Sequence, residues 1–103
     1  MYKVIVFVPA DFKEKVKKAM FESGGGKIGN YSDCCFEVKG MGQFRPLKGS
    51  SPFLGEVDDL EVVEEYKVEM VVPENAIKEV IRSMKKVHPY EEPAYDIFCH
   101  VRI

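Results

Sequence analysis

The chain carries one structural plan twice, as VFVPADFKEKVKKAM at residues 6–20 and as MVVPENAIKEVIRSM at residues 70–84. In both copies a short apolar run ends at a proline, and apolar residues then recur at helical spacing. The first run, Val4–Val8, has the β-branched composition of a buried strand. Each copy therefore predicts a strand that leads into a helix, and the helices are expected to end at Gly24 and before Pro89.

Two more strands complete the pattern. The strand before the second helix alternates over 65–72, and apolar and polar residues also alternate over 33–41 and over 95–103, as in strands with one buried face. The predicted order is βαββαβ. This order indicates an α+β, ferredoxin-like sandwich in which an antiparallel four-stranded sheet carries two helices on one face.

The face of the sheet opposite the helices bears on whether the chain assembles with other copies. Two helices cover one face only, yet the first strand is apolar at every position, so we expect another chain to cover the other face. An exposed polar face is the alternative. It is favoured by four residues that would share this face: Glu65, Lys67, Glu69 and His100.

Length and composition limit the possible functions. With 103 residues the chain is expected to be a single domain, 1–103, with a long loop at about 40–62. The net charge of −2 predicts no nucleic-acid partner, and no apolar run has the roughly 20 residues that cross a membrane. Three cysteines and a start unlike a signal peptide predict a reduced, cytoplasmic protein.

The glycine run at residues 24–29 matches G-x-G-x-x-G formally. A dinucleotide site needs this motif after a strand and at the start of a helix, whereas here it follows a helix and leads into a strand. We interpret the run as a left-handed helix cap and a turn. A backbone anion site assisted by Lys27 is the alternative.

The long loop has two possible roles, in ligand binding or in subunit packing. Arg45 and Lys48 are candidate contacts for an anionic ligand. Its large apolar residues would be costly to leave in water, so the loop is alternatively an arm that packs on a neighbouring subunit. Those residues are Phe44, Leu47, Phe53 and Leu54.

The densest chemistry lies in HPYEEPAYD at residues 88–96. His88 and Glu91, together with His100, are a candidate set of ligands for a divalent metal ion, although their spacing matches no known closed site. The alternative is that His88 ends the helix and bonds locally while the acids face solvent. Cys34 is expected in the core and Cys35 is the candidate exposed thiol, but Cys35 has no identifiable base nearby, so no catalytic residue is assigned.

Three blocks of the sequence resemble the insert domain of the Nif-three-like proteins: GGGKIGNYSDCCF at 24–36, GMGQFRPLKGSSPFLGE at 40–56 and HPYEEPAYDI at 88–97. The resemblance covers nearly the whole chain and implies a sandwich similar to the PII and CutA proteins, which are typically trimers with ligands in clefts between subunits. It implies functional positions in each block, namely Gly26, Gly29, Tyr31, Phe44, Arg45, Pro46, His88, Tyr90 and Glu91. The family's paired-histidine metal motif is absent from this sequence, whose two histidines are His88 and His100.

These features favour a non-catalytic binding or regulatory module. We expect a stand-alone homo-oligomer, a dimer or trimer, that binds a small anion or a divalent cation at subunit clefts. The expected ligand contacts are Gly26, Lys27, Gly29, Tyr31, Arg45, His88, Tyr90 and Glu91. The alternatives are a metal-dependent hydrolase with Glu91 or Glu92 as base, and a protein–protein adaptor that acts through the apolar loop.

Overall fold

The computed structural model describes residues 1–101 and 103 and has the predicted element order. Strand β1 is Tyr2–Pro9, β2 is Phe36–Phe44, β3 is Glu61–Val72 and β4 is Tyr95–Cys99. Helix α1 is Lys13–Glu22 and α2 is Ile77–Val87. A short 3-10 turn precedes each helix, Ala10–Phe12 before α1 and Glu74–Ala76 before α2.

The four strands form one antiparallel sheet in the order β2-β3-β1-β4. Val6 of β1 pairs with Val68 of β3 and with Tyr95 of β4, so these side chains share one face. We call it the helix face, because alternate residues of β1 and β3 are buried there against Val16, Met20, Val80 and Met84 of the helices. The predicted α+β, ferredoxin-like fold with both helices on one face is confirmed.

The repeated plan explains how each strand turns into its helix. Pro9 and Pro73 both have extended backbone, with ψ of 146° and 154°, and a 3-10 turn follows each of them. Gly24 ends the first half in the left-handed conformation with φ of 111°. The second helix ends where His88 becomes extended, with ψ of 134°, as expected for a residue before proline.

The boundaries of three strands differ from the prediction. β2 begins at Phe36 and reaches Phe44, and β3 begins at Glu61, because the pairing continues to Phe44 and Glu61. The loop between them is therefore 45–60, shorter than the predicted 40–62. β4 ends at Cys99 and does not continue to 103; Arg102 lies outside the described residues.

The other face of the sheet, here called the open face, has no helix on it. Phe36 (66% exposed), Val38 (48%) and Phe98 (52%) lie on this face. Glu65, Lys67 and Glu69 share it, so the expected apolar and polar residues are mixed there. Among the residues that the structure describes, no helix has the length and apolar character needed to cross a membrane.

Candidate functional site

A cleft of about 400 Å³ opens between two segments that are distant in sequence. One wall comes from the end of β2 and the loop after it, residues 43–53, and the other from residues 90–94 after α2. Six apolar residues line it: Phe44, Pro46, Leu47, Pro52, Phe53 and Ala94. Polar groups converge among them, as in ordinary small-molecule sites.

His88 supports the cleft from inside the fold. Its Nε2–H donates to the carbonyl oxygen of Phe7 at 2.8 Å, and its Nδ1 accepts the N–H of Tyr90 at 3.1 Å. These two partners require the neutral tautomer with the proton on Nε2. Burial lowers the pKa of His88, which favours that neutral form. His88 therefore fixes the backbone at Tyr90 to the end of β1.

Tyr90 projects from this support into the cleft. Its hydroxyl donates to the Glu65 carboxylate at 2.8 Å, and its ring lies 5.6 Å from that of Phe44. Burial, with a further contribution from Glu65, raises the pKa of Tyr90, so the hydroxyl keeps its proton. A methyl group at Gly42 would overlap the Glu65 carboxylate. The absence of a side chain at Gly42 therefore provides the space that the Glu65 carboxylate occupies.

The long loop is held against the rest of the site by several contacts. The Ser51 N–H donates to the Glu91 carboxylate at 3.0 Å, across the mouth of the cleft. The Arg45 guanidinium donates to the Asp58 carbonyl oxygen at 2.5 Å, which closes the loop on itself. Phe53 packs edge to face on Phe12, with ring centres 5.5 Å apart. These contacts give the loop a defined shape.

The three predicted metal ligands, His88, Glu91 and His100, do not lie together within one copy of the chain. Within residues 1–101 and 103, no three His, Cys, Asp or Glu side chains come together as a metal site. His88 has both ring nitrogens occupied near Phe7, whereas His100 follows β4 beside Met1, at the other end of β1. Phe7 and Lys3 are four residue steps apart along β1, and this distance alone is about 13 Å.

The glycine run lies at the end of the sheet far from the cleft. The N–H of Gly25 donates to the Met20 carbonyl oxygen at 3.0 Å, and the N–H of Gly26 to that of Val71 at 2.8 Å. The amides of Gly25 and Gly26 are thus used within the fold, as a cap and turn requires. Gly29 and Lys27 are exposed there with Tyr31.

The eight expected ligand contacts thus form two separate sets. Arg45, Tyr90 and Glu91 line the cleft, and His88 lies directly behind it. Gly26, Lys27, Gly29 and Tyr31 belong to the glycine run at the opposite end of the sheet.

The two adjacent cysteines are placed the other way round from the prediction. Cys35 packs against the core, whereas Cys34 lies outside it with its thiol 3.6 Å from the Ser32 carbonyl oxygen. Burial raises the pKa of Cys35, although the nearby Lys17 opposes this shift. A raised pKa disfavours the thiolate, so Cys35 is a poor nucleophile.

The sequence pattern places Glu65 only on a polar strand face and does not reveal that it lines the cleft. Nor does it single out Ser51 and Gly42, which contact the carboxylates of Glu91 and Glu65. The spacing of Gly40 and Gly42 within one strand is a signal that was present, since strand glycines often mark a close approach by another group.

Known proteins resemble both the sequence and the fold of this chain, although no family model matches it. A Bacillus subtilis protein named GTP cyclohydrolase 1 type 2 homolog is 49% identical over 96 residues, and a Mycobacterium bovis protein of the same name is 48% identical over 99. These matches cover 93% and 96% of the chain and 26% of each relative. The crystal structure of a Bacillus cereus protein related to NIF3 superposes with a TM-score of 0.81 at 43% identity, covering 94% of this chain and 24% of that one. The chain is similar to one segment of NIF3-related proteins.

The resemblance predicted from the three sequence blocks is thus confirmed. The chain spans about a quarter of the length of the NIF3-related relatives. Its fold also matches CutA1 from Pyrococcus horikoshii, with a TM-score of 0.70 at 18% identity over 100% of this chain and 86% of that one. The PII-like protein CutA from Nostoc gives 0.69 at 16% identity, over 97% and 81%.

Proposed function

We propose that the chain is a non-catalytic binding module that works as a homo-oligomer, with copies packed through the open face and a small ligand in the cleft. The main support for assembly is the apolar surface exposed on the open face. Phe36, Val38 and Phe98 are about half exposed or more on a face that no helix covers. Taking a side chain of this kind from full exposure to full burial contributes about 1.5–3 kcal/mol, so covering the exposed half of each favours association.

The mixture of positive and negative side chains on the open face favours a second copy of the chain as the partner that covers it. Lys67 and Glu69 point to it from β3, Lys3 from the neighbouring β1, and Asp96 from β4 at the edge of the sheet. A surface that carries both signs offers opposite charges to pair with a second copy of itself, in a dimer or a trimer. The resemblance to the PII and CutA proteins, which implies clefts between subunits, supports the same arrangement.

Binding without catalysis is proposed because the reactive groups are committed elsewhere. His88 uses both ring nitrogens inside the fold, and burial leaves Cys35 a poor nucleophile. The cleft still offers polar groups at fixed positions within an apolar wall. The odd number of cysteines leads us to propose the cytoplasm as its location.

Two matched valine variants test the assembly. Val38→Glu places a charge on the open face, whereas Val62→Glu places one on the helix-face side of β3, where Val62 is exposed to a similar degree (54%). Light scattering on a sizing column is expected to show an oligomer for the unmodified chain and for Val62→Glu, and a monomer for Val38→Glu. The proposal fails if both variants behave alike or if the unmodified chain is monomeric.

A further inference from the structure

The composition of the cleft identifies a class of ligand. We propose that the cleft binds a small molecule that carries an ammonium group on an apolar body. This inference rests on the proposed binding role of the same cleft, and it replaces the anion or metal ion expected from the sequence.

Charge is the first argument. Among the residues that the structure describes, Glu65, Glu91 and Glu92 line the cleft, and Arg45 is the cation beside them. The Arg45 guanidinium is also directed to the Asp58 carbonyl oxygen in its own loop. An anion would meet an excess of two negative charges here, whereas a cation is attracted.

The carboxylates keep free acceptors for a ligand. Glu65 uses one oxygen for the Tyr90 hydroxyl, and Glu91 uses one for the Ser51 N–H. The second oxygen of each remains available, and an ammonium group brings three N–H donors. Because Tyr90 and Ser51 orient these two side chains, their free oxygens hold defined positions before a ligand enters.

The aromatic lining is the second argument. Phe44 and Tyr90 form a tilted pair with ring centres 5.6 Å apart, and Phe53 lines the loop side. Aromatic faces attract ammonium groups through the negative charge of their π-systems. Pro46, Pro52 and Leu47 supply apolar wall for the remainder of the ligand, and about 400 Å³ is within the range of small-molecule sites.

A pair of probes with one skeleton and opposite charges tests the assignment. The ¹⁵N-labelled chain is titrated with phenethylamine and, separately, with 3-phenylpropionate, while amide chemical shifts are followed. The amine is expected to shift the amides of Ser51, Tyr90 and Glu91, and to bind more weakly as salt is raised, because salt screens partly exposed charges. The carboxylate is expected to cause no such shifts.

Variants separate charge from shape. Glu92→Gln removes one exposed carboxylate of the cleft and is expected to weaken amine binding about fivefold, which is the ratio for a partly exposed ion pair. Glu79→Gln removes an exposed carboxylate on α2, away from the cleft, and is expected to leave the affinity unchanged.

Three results overturn the inference: 3-phenylpropionate binding as tightly as the amine, equal amine affinity for Glu92→Gln and the unmodified chain, or no amine binding up to about 10 mM. The first would leave the proposed binding role standing and reject the ligand class. The third would reject the cleft as a binding site, while assembly through the open face would still be decided by the valine variants.

Discussion

Replacing Gly42 by alanine should disconnect the Glu65 carboxylate from Tyr90. The new methyl group would occupy the place of that carboxylate, which lies at the end of a flexible side chain and can swing away. The expected cost is therefore the hydrogen bond from the Tyr90 hydroxyl to Glu65, rather than a rearranged sheet. Gly40 is the matched control, because it is in the same strand, on the same face, and a methyl group there meets open space.

The size of the effect follows from the hydrogen bond. Hydrogen bonds to charged groups contribute about 1.5–3 kcal/mol, and this one is only partly buried, so we expect about 1–2 kcal/mol. Both alanine variants gain a similar amount from the stiffer unfolded chain, which cancels in the comparison. Gly42→Ala should thus be less stable than Gly40→Ala by about 1–2 kcal/mol in the free energy of unfolding.

Urea denaturation of four proteins measures this difference with its own internal check. The two alanine variants are compared in the unmodified chain and again in a Tyr90→Phe background, where the hydrogen bond no longer exists. In that background the difference should shrink below about 0.5 kcal/mol. Equal stability of the two variants, or a difference that persists without the Tyr90 hydroxyl, would refute the proposed role of Gly42.

Two further predictions concern residues that support the fold. Gly26→Ala should lower the free energy of unfolding by about 2–4 kcal/mol in urea denaturation, since φ is 74° and the methyl group would overlap the Phe21 ring. Gly29→Ala, with φ of 56° and open space around the new methyl group, should lower it by about 1 kcal/mol. Similar losses for the two variants would contradict this packing. Because burial lowers the pKa of folded His88, the unfolded chain takes up its proton first, so stability should decline as pH falls below the ordinary value of 6.5. That decline should be absent in His88→Gln, and its persistence there would show that another group causes it.

The fold could be predicted because its determinants are local. A proline closes each apolar run in both halves, and the strand and helix periods on its two sides differ clearly. The limits of β2, β3 and β4 were less predictable. Residues 41–44 and 61–64 contain a glycine and acidic residues, which are poor strand formers by themselves. They form strands here because the two segments pair with each other.

The site was predicted only in part, because its contacts join distant residues. Arg45, Tyr90 and Glu91 were named from unusual local composition, and they do line one cleft. Glu65 comes to Tyr90 across 25 positions of the sequence, which no local pattern reveals. The converse holds for His88 and His100, which are close in sequence but lie at opposite ends of β1.

Native mass spectrometry of the untagged chain tests the central claim most directly. The account predicts a species with the mass of two or three 11.8 kDa copies, and its conversion to single copies by Val38→Glu but not by Val62→Glu. A single 11.8 kDa species at every protein concentration would contradict assembly through the open face.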